Sequence, residues 1–221
     1  MRIVAAGLGG RSIGMVLKDV STTYAYTVRY QATLYDAQGA QVGVFSVSEA
    51  NLLPGETVAV GAGGDTTAPA VRFALTPDPR ESAPCAYPIV NASKQPAPVP
   101  SAPGIWTKPR VDPKYAGQQY PGEVTGTLQV QPARQGLQAQ AVLYDSAGHV
   151  SGFESQQLTT ADGPTPVRIV FRESFTYSGF PNPWAPVAQA TVSAYDDLRT
   201  LTGGGLGECQ RLQGSAPVLT P

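Results

Sequence analysis

An internal repeat restricts the possible folds of this chain more than any other feature of its sequence. Residues 31–46 (QATLYDAQGAQVGVFS) align without a gap on residues 140–155 (QAVLYDSAGHVSGFES), and eight of the sixteen positions are identical. The separation between matching residues is 109 throughout, and it continues to Val58, which meets Val167. A constant separation indicates duplication of one folding unit. The 221 residues therefore predict two small domains of the same architecture.

Each copy carries the pattern of a half-buried β-strand that ends in a tight turn. Apolar residues alternate with mostly polar ones up to Leu34 and Leu143, and this period of two is typical of strands. We therefore expect both leucines to be buried. Residues 36–39 and 145–148 follow, with Asp first and Gly fourth, which favours a type I turn. No segment has a sustained helical period, so the sequence predicts an all-β fold.

Glycine and proline indicate where the domains begin and end. The chain has 24 glycines and 21 prolines, residues that interrupt helices and mark turns between short strands. Nine prolines lie within residues 82–121, which predicts a semi-rigid connector. The sequence thus predicts two tandem antiparallel immunoglobulin-like β-sandwich domains, residues 1–81 and 122–201. A Pro-rich linker, residues 82–121, joins them, and a Gly-rich and then apolar tail, residues 202–221, follows.

The repeated Leu-Tyr-Asp triplet resembles a known type of domain. The triplets at residues 34–36 and 143–145, each followed by a glycine turn, resemble the FxLYD-type domains of bacterial extracytoplasmic proteins. In this sequence Ala32 and Ala141 stand where that family has phenylalanine. The resemblance implies an immunoglobulin-like β-sandwich at the cell surface or in the periplasm, and it implies no catalytic residues.

Charge and hydropathy argue against nucleic-acid binding and against a membrane-spanning segment. The formal net charge is −1, and the four lysines form no basic run that could neutralise a phosphate backbone, so we do not expect nucleic-acid binding. The apolar run near the start, residues 3–10, is much shorter than the ~20 residues of a membrane-spanning helix. We therefore expect no membrane-spanning segment.

One pattern in the chain suggests catalysis. Residues 10–14 (GRSIG) match the Gly-x-Ser-x-Gly pattern of hydrolase nucleophiles, which requires a following helix and a histidine partner. The sequence that follows is typical of a strand, and the single histidine, His149, lies in the hairpin of the other copy. One histidine and two distant cysteines are too few for zinc or copper. Asp196 and Asp197 could contribute carboxylate ligands to calcium, but no Asp-rich loop accompanies them, which favours a solvated strand end. The sequence thus predicts no catalytic residue, metal site or cofactor, and His149 is predicted to be an exposed hairpin residue.

The two cysteines indicate the kind of cellular compartment in which the protein is found. Cys85 and Cys209 each lie shortly after the last predicted strand of their own copy. An even number of cysteines in a chain rich in β-structure, proline and glycine favours a disulfide between them, and hence an oxidising compartment. The alternative is two free, buried thiols.

The second copy contains an aromatic insertion of seven residues, within residues 173–186, that the first copy lacks. Prolines limit its conformational freedom, and aromatic side chains dominate interaction surfaces. The insertion therefore predicts an interaction site, and the alternative is that its aromatic residues extend a strand and plug the end of the sandwich. The candidate interaction residues are Phe175, Tyr177, Phe180 and Trp184.

These observations predict a non-catalytic, extracytoplasmic structural or interaction protein, a subunit of a cell-surface or envelope assembly. Its expected partners are other proteins of that assembly, and a glycan is a further candidate. One alternative is a carbohydrate- or ligand-binding module that uses the aromatic loop, residues 173–186. Another alternative is a virion decoration or tail protein, because such proteins also use tandem sandwiches. A disulfide would favour the first two functions over the virion protein.

Overall fold

The computed structural model describes eleven segments of the chain. These are residues 2–9, 12–63, 66–77, 85–88, 97–108, 110–112, 114, 118–120, 122–171, 186–196 and 210–211. The described residues form fourteen β-strands and no α-helix, and every pairing between these strands is antiparallel. The predicted all-β class is therefore confirmed.

The strands are named in chain order. They are β1 (Arg2–Leu8), β2 (Ser12–Lys18), β3 (Tyr24–Tyr35), β4 (Gln41–Leu52), β5 (Thr57–Gly63), β6 (Arg72–Pro77), β7 (Cys85–Pro88), β8 (Ala102–Thr107), β9 (Arg110–Asp112), β10 (Gln118–Tyr120), β11 (Gly122–Tyr144), β12 (Val150–Phe171), β13 (Gln189–Asp196) and β14 (Gln210–Arg211).

Three larger sheets organise these strands. Sheet I has the order β1-β2-β5. Sheet II has β3 at its centre, with β4 on one edge and β6 and β7 along the other, and β14 lies beside β7. Sheet III has the order β12-β11-β13-β8, with an additional pairing between β11 and β8. Strands β9 and β10 form a separate pair.

The first core lies between sheets I and II. It is filled by the apolar side chains that alternate along the strands, as the sequence predicts. Side chains from β2, β5 and β3 form one buried cluster that includes Met15, Val60 and Leu34. Leu34 has no exposed surface, as predicted. Burial of one such leucine contributes about 2 kcal/mol to the free energy of unfolding.

The second core lies within sheet III, and its pairing repeats that of the first copy. Strand β11 corresponds to β2 and β3 joined into one strand, and β12 corresponds to β4 and β5. The pair Leu34–Gly43 recurs as Leu143–Gly152 at the separation of 109, with the same irregularity one residue later. Leu143 is 3% exposed, so its predicted burial is also confirmed. The duplication is therefore present in the strand register as well as in the sequence.

The residues expected to form a connector depart from that expectation. Within residues 82–121, strand β7 pairs with β3, and strand β8 pairs with both β11 and β13. Gly104 is opposite Gly126 on one side and Ala190 on the other, so β8 joins the two parts of sheet III around the second core. Proline lacks a backbone N–H, but Pro103 lies near the start of its strand, where proline is tolerated.

A third cluster joins the two copies. Val16 of β2 and Ala59 of β5 point away from the first core and pack against Val142 and Val150 of sheet III. Sheet I is thus covered on both faces, by sheet II on one and by sheet III on the other. This explains why consecutive residues of β2 and β5 are apolar, since a strand buried on both faces needs no alternation.

Candidate binding cleft and the junction between the copies

A cleft with an apolar lining lies along one side of the first core. It has a volume of about 780 Å³ and lies between β1 and β6, the edge strands of sheets I and II. Its apolar lining includes Ile3 and Leu8 from β1 and Phe73 and Leu75 from β6. We call the gap between these two strands the open seam.

In the second copy, the strands equivalent to β1 and β6 are β8 and β13, and these two strands pair with each other. We call this pairing the closed seam. The register places Phe73 opposite Leu34 and Ala190 opposite Leu143, so Phe73 and Ala190 are equivalent positions on β6 and β13. Likewise Ala6 and Trp106 are equivalent positions on β1 and β8. Strands β8 and β13 pair directly through three residue pairs, whereas no such pairing joins β1 and β6 among the described residues.

The register also corrects the length of the aromatic insertion. The separation between the paired strands is 39 residues in the first copy, from Leu34 to Phe73. It is 47 residues in the second copy, from Leu143 to Ala190. The insertion is therefore eight residues long and not seven.

Two glycines allow the strands of the second seam to approach closely. A Cβ on Gly104 would lie 2.6 Å from Cγ1 of Val124, and one on Gly126 would lie 2.7 Å from Cγ2 of Val192. These two glycines are opposite each other in the register, and the first copy has the pair Ile3–Leu17 in the same place. The first copy thus has two large side chains at the positions where the second copy has two glycines.

A smaller cavity of about 390 Å³ remains at the closed seam. Trp106 lines it and packs edge-on against Phe171, with ring centroids 5.3 Å apart at 78°. The first copy has only the methyl group of Ala6 at the position of Trp106. The cleft at the open seam therefore has twice the volume of the cavity at the closed seam, and it lacks the aromatic side chain that lines that cavity.

The polar rim of the open seam comes from the hairpin of the second copy. Oδ1 of Asp145 accepts hydrogen bonds from the backbone N–H groups of Ala147 and His149, both at 2.9 Å. Nδ1 of His149 lies 3.2 Å from Oδ2 of Asp145. The hydrogen bond from the backbone of His149 is the main cause that lowers the pKa of Asp145. His149 is exposed, as the sequence predicts.

Two further polar side chains line the cleft. The guanidinium of Arg72 lies 4.7 Å above the ring of Tyr35, which holds this exposed cation at the rim. Ser151 also lines the cleft, and its Oγ is buried without a hydrogen-bond partner. The cleft thus combines an apolar floor with a few polar groups at its margin, which is typical of binding sites.

A buried polar cluster at the junction between the copies is the feature that sequence reasoning missed. Nη1 of Arg134 is 2.8 Å from Oδ2 of Asp196, and Arg134 also donates to the carbonyl oxygen of Ala97. The carboxylate of Glu56 accepts hydrogen bonds from the backbone N–H groups of Asp196 and Leu53, each at 2.9 Å. The interpretation of Asp196 as a solvated strand end is therefore wrong, because Arg134 pairs with it in a buried site.

Burial also changes the acidity of two carboxyl groups near this junction. Desolvation raises the pKa of Glu56 to about 8, and its two accepted hydrogen bonds oppose this rise. Desolvation likewise raises the pKa of Asp19 to about 6. The backbone N–H of Asp19 donates to the carbonyl oxygen of Glu56 at 3.0 Å, so the two residues are neighbours. This cluster holds the copies together and lies apart from the open seam.

The remaining predicted site residues fall largely outside the described part of the chain. Phe175, Tyr177, Phe180, Trp184 and Cys209 all lie there. Only the backbone of Cys85 is described, within β7, which pairs with β14 so that Arg211 is opposite Cys85. Ser12 begins strand β2, so no helix follows the Gly-x-Ser-x-Gly pattern.

Within the described residues, no group of three or more His, Cys, Asp or Glu side chains could hold a metal ion. None of the described segments forms a helix that is long and apolar enough to cross a membrane. Comparison of the chain with models of known protein families and with curated proteins gives no match.

Proposed function

We propose that this protein is a non-catalytic, extracytoplasmic interaction protein, a subunit of a cell-surface or envelope assembly, which binds a partner protein at the open seam. The observation that carries this proposal is the 780 Å³ cleft, whose apolar floor lies between two strand edges that are unpaired among the described residues. Apolar surfaces with a polar rim are characteristic of protein interaction sites and ligand-binding grooves.

The finer architecture belongs to the same proposal. Two tandem immunoglobulin-like sandwiches are supported by the repeated register and by the two separate cores. The Leu-Tyr-Asp resemblance supports a location outside the cytoplasm. Rigid sheets that carry recognition groups at their edges and loops are a common arrangement in binding proteins.

The aromatic segment fits this proposal by its place in the chain. Residues 173–185 follow the end of β12, and the next residue, Pro186, lines the open seam together with His149. We propose that Phe175, Tyr177, Phe180 and Trp184 extend the binding surface of the cleft. Aromatic anchors beside an apolar groove supply most of the energy of many interfaces.

Site-specific photo-crosslinking in the source organism tests this function. A photoreactive residue in place of Val71, an exposed residue that lines the open seam, is expected to cross-link one protein species. The same residue in place of Val44, an exposed position on the outer face of β4, is the control. Equal cross-linking at both positions, or none at position 71, would contradict the proposal.

A further inference from the structure

We infer that the junction between the two copies is a pH-sensitive joint, which opens when Glu56 loses its proton while each copy keeps its own fold. Glu56 belongs to the first copy, and its Oε1 accepts a hydrogen bond at 2.9 Å from the backbone N–H of Asp196, which belongs to the second copy. Its Oε2 accepts from the N–H of Leu53 within the first copy. One ionisable side chain therefore connects the two copies directly.

The charged groups around Glu56 leave a negative charge on it without a counterion. Among the described residues, Arg134 is the cation of this cluster, and it already pairs with the carboxylate of Asp196 at 2.8 Å. Asp19, whose N–H donates to the carbonyl oxygen of Glu56, adds a third carboxyl group, and it is fully buried. An ionised Glu56 is therefore a buried, uncompensated charge, which strongly destabilises the contact that buries it.

The contacts between the copies can break without loss of either core. The buried apolar cluster at the junction consists of Val16, Ala59, Val142 and Val150, and Tyr195 of β13 packs, partly buried, against the first core. Each copy has a separate and larger core of its own. Proteins open in cooperative units that require less free energy than unfolding of the whole chain. The two copies are such units, and the junction is the boundary between them.

Opening of the joint also changes the open seam. Val150 belongs to the apolar cluster at the junction and also lines the seam. A Cβ on Gly7 would overlap with the carbonyl oxygen of Val150, so the backbone of β1 lies directly against the start of β12. When the copies separate, the wall of the seam that the second copy supplies moves away from β1.

The direction of the pH dependence follows from the burial of Glu56. Desolvation raises the pKa of Glu56 from 4.5 to about 8 in the closed joint, and opening returns the group to water and to its ordinary pKa. The proton therefore favours the closed form fully below pH 4.5, and this advantage is lost as the pH rises to 8. Between pH 6 and pH 9, the equilibrium constant for opening should rise roughly 100-fold.

Hydrogen exchange at the amide of Ala59, measured by NMR on the full chain between pH 6 and pH 9, tests the joint. This N–H donates to Oε1 of Gln140 in the second copy, so its exchange requires a contact between the copies to break. The N–H of Val60 points to the opposite side of β5, toward β2, and is the matched control within the first copy. After correction for intrinsic exchange rates, Ala59 should be at least tenfold less protected than Val60. Its protection should fall roughly 100-fold between pH 6 and pH 9.

Asp196 provides a second reporter from the other copy, because its N–H donates to Glu56. Its protection should follow that of Ala59 across the pH range. Glu56→Gln should remove the pH dependence at Ala59, whereas Asp162→Asn, at an exposed site, should keep it. The wild-type chain alone decides between opening and unfolding, so the test does not depend on how well Glu56→Gln folds.

Three results would each overturn the joint. Equal protection of Ala59 and Val60 would show that the junction breaks only when the whole chain unfolds. Lower protection of Ala59 without a pH dependence would show that the side chain of Gln140 moves alone. A pH dependence at Asp196 but not at Ala59 would confine the change to Glu56. None of these measurements involves a partner at the open seam, so the cross-linking experiment decides the proposed function separately.

Discussion

The side-chain amide of Gln140 pairs with the backbone of Ala59 as a neighbouring strand would. Its Nε2 donates to the carbonyl oxygen of Ala59 at 2.9 Å, and its Oε1 accepts from the N–H of Ala59 at 2.6 Å. Gln140 is 2% exposed and belongs to the second copy, whereas Ala59 lies on β5 of the first. One side chain thus satisfies both backbone groups of a residue at the edge of sheet I.

Replacement of Gln140 by Ala should therefore destabilise the protein. The change leaves a buried N–H and a buried C=O of Ala59 without partners, with an expected loss of about 2–4 kcal/mol in the free energy of unfolding. Gln31 is the equivalent residue of the first copy and is only half-buried. Gln31→Ala should lose less than about 1 kcal/mol. Urea unfolding of both variants checks this, and equal losses would contradict the special role of Gln140.

The stability of the protein should fall as the pH rises from 5 to 9. Burial raises the pKa of Glu56 from 4.5 to about 8, so the folded state holds this proton more tightly than the unfolded state does. The resulting stabilisation is complete below pH 4.5 and is lost as the pH approaches 8. Asp19, with a pKa of about 6, acts in the same direction at lower pH. The expected decrease is on the order of 2–4 kcal/mol.

Thermal unfolding between pH 5 and pH 9 measures this dependence, and Glu56→Gln should flatten it. The neighbouring charges are Asp196, which disfavours ionisation of Glu56, and Arg134, which favours it. The amide of the variant can accept only one of the two backbone hydrogen bonds, so Glu56→Gln should be less stable than the wild type at pH 5. Asp162→Asn, at an exposed site, is the control and should keep the wild-type slope. A wild-type profile that rises toward pH 9 would show that Glu56 ionises without penalty.

Closure of the second seam should depend on Gly126. Gly126→Leu places the residue of the first copy at this position, and its side chain would overlap with Val192. We expect a loss of about 1–3 kcal/mol, together with faster hydrogen exchange in β8, because β8 and β13 would separate. Thr127→Leu, at the exposed neighbouring position of β11, is the control. Unchanged exchange in β8 of the Gly126 variant would show that other contacts close the seam.

Local chemistry made the repeated hairpins predictable. Oδ1 of Asp36 accepts from the N–H groups of Gln38 and Ala40, and Asp145 makes the equivalent two bonds. Gly39 and Gly148 take positive φ angles of 85° and 82°. All the residues that determine these turns lie within five positions of one another, so the sequence pattern is sufficient. The burial of Leu34 and Leu143 follows from the alternation along a single strand.

Contacts between distant residues were not predictable in the same way. The environment of Asp196 depends on Arg134, which is 62 residues away, and no local pattern reports that pair. Strand β8 lies in a Pro-rich segment whose composition favours a connector, and two glycines allow it to enter sheet III. The open seam is visible only when the two copies are compared in three dimensions, because it results from strands that do not pair.

The cysteine pair provides a test of the proposed compartment. An even number of cysteines in a chain rich in β-structure, proline and glycine favours a disulfide between Cys85 and Cys209. We expect the two thiols to be bonded in protein purified without reductant. In the entropic model, closing so long a loop stabilises the folded state by about 4–5 kcal/mol. A thiol titration of the unreduced protein should find no free group, and two free groups would contradict both the disulfide and the argument for an oxidising compartment.

The aromatic segment should contribute to binding and not to stability. The double variant Phe180→Ala/Trp184→Ala should weaken partner binding at least tenfold, because both side chains are proposed to contact the partner beside the open seam. Its melting temperature should stay close to that of the wild type. Trp106→Ala is the matched control: Trp106 packs against Phe171 at the closed seam, so its loss should destabilise the protein by about 3 kcal/mol and leave binding per folded molecule intact. If the double variant unfolds as the control does, the aromatic segment is a plug of the second core, and the binding surface is confined to the seam.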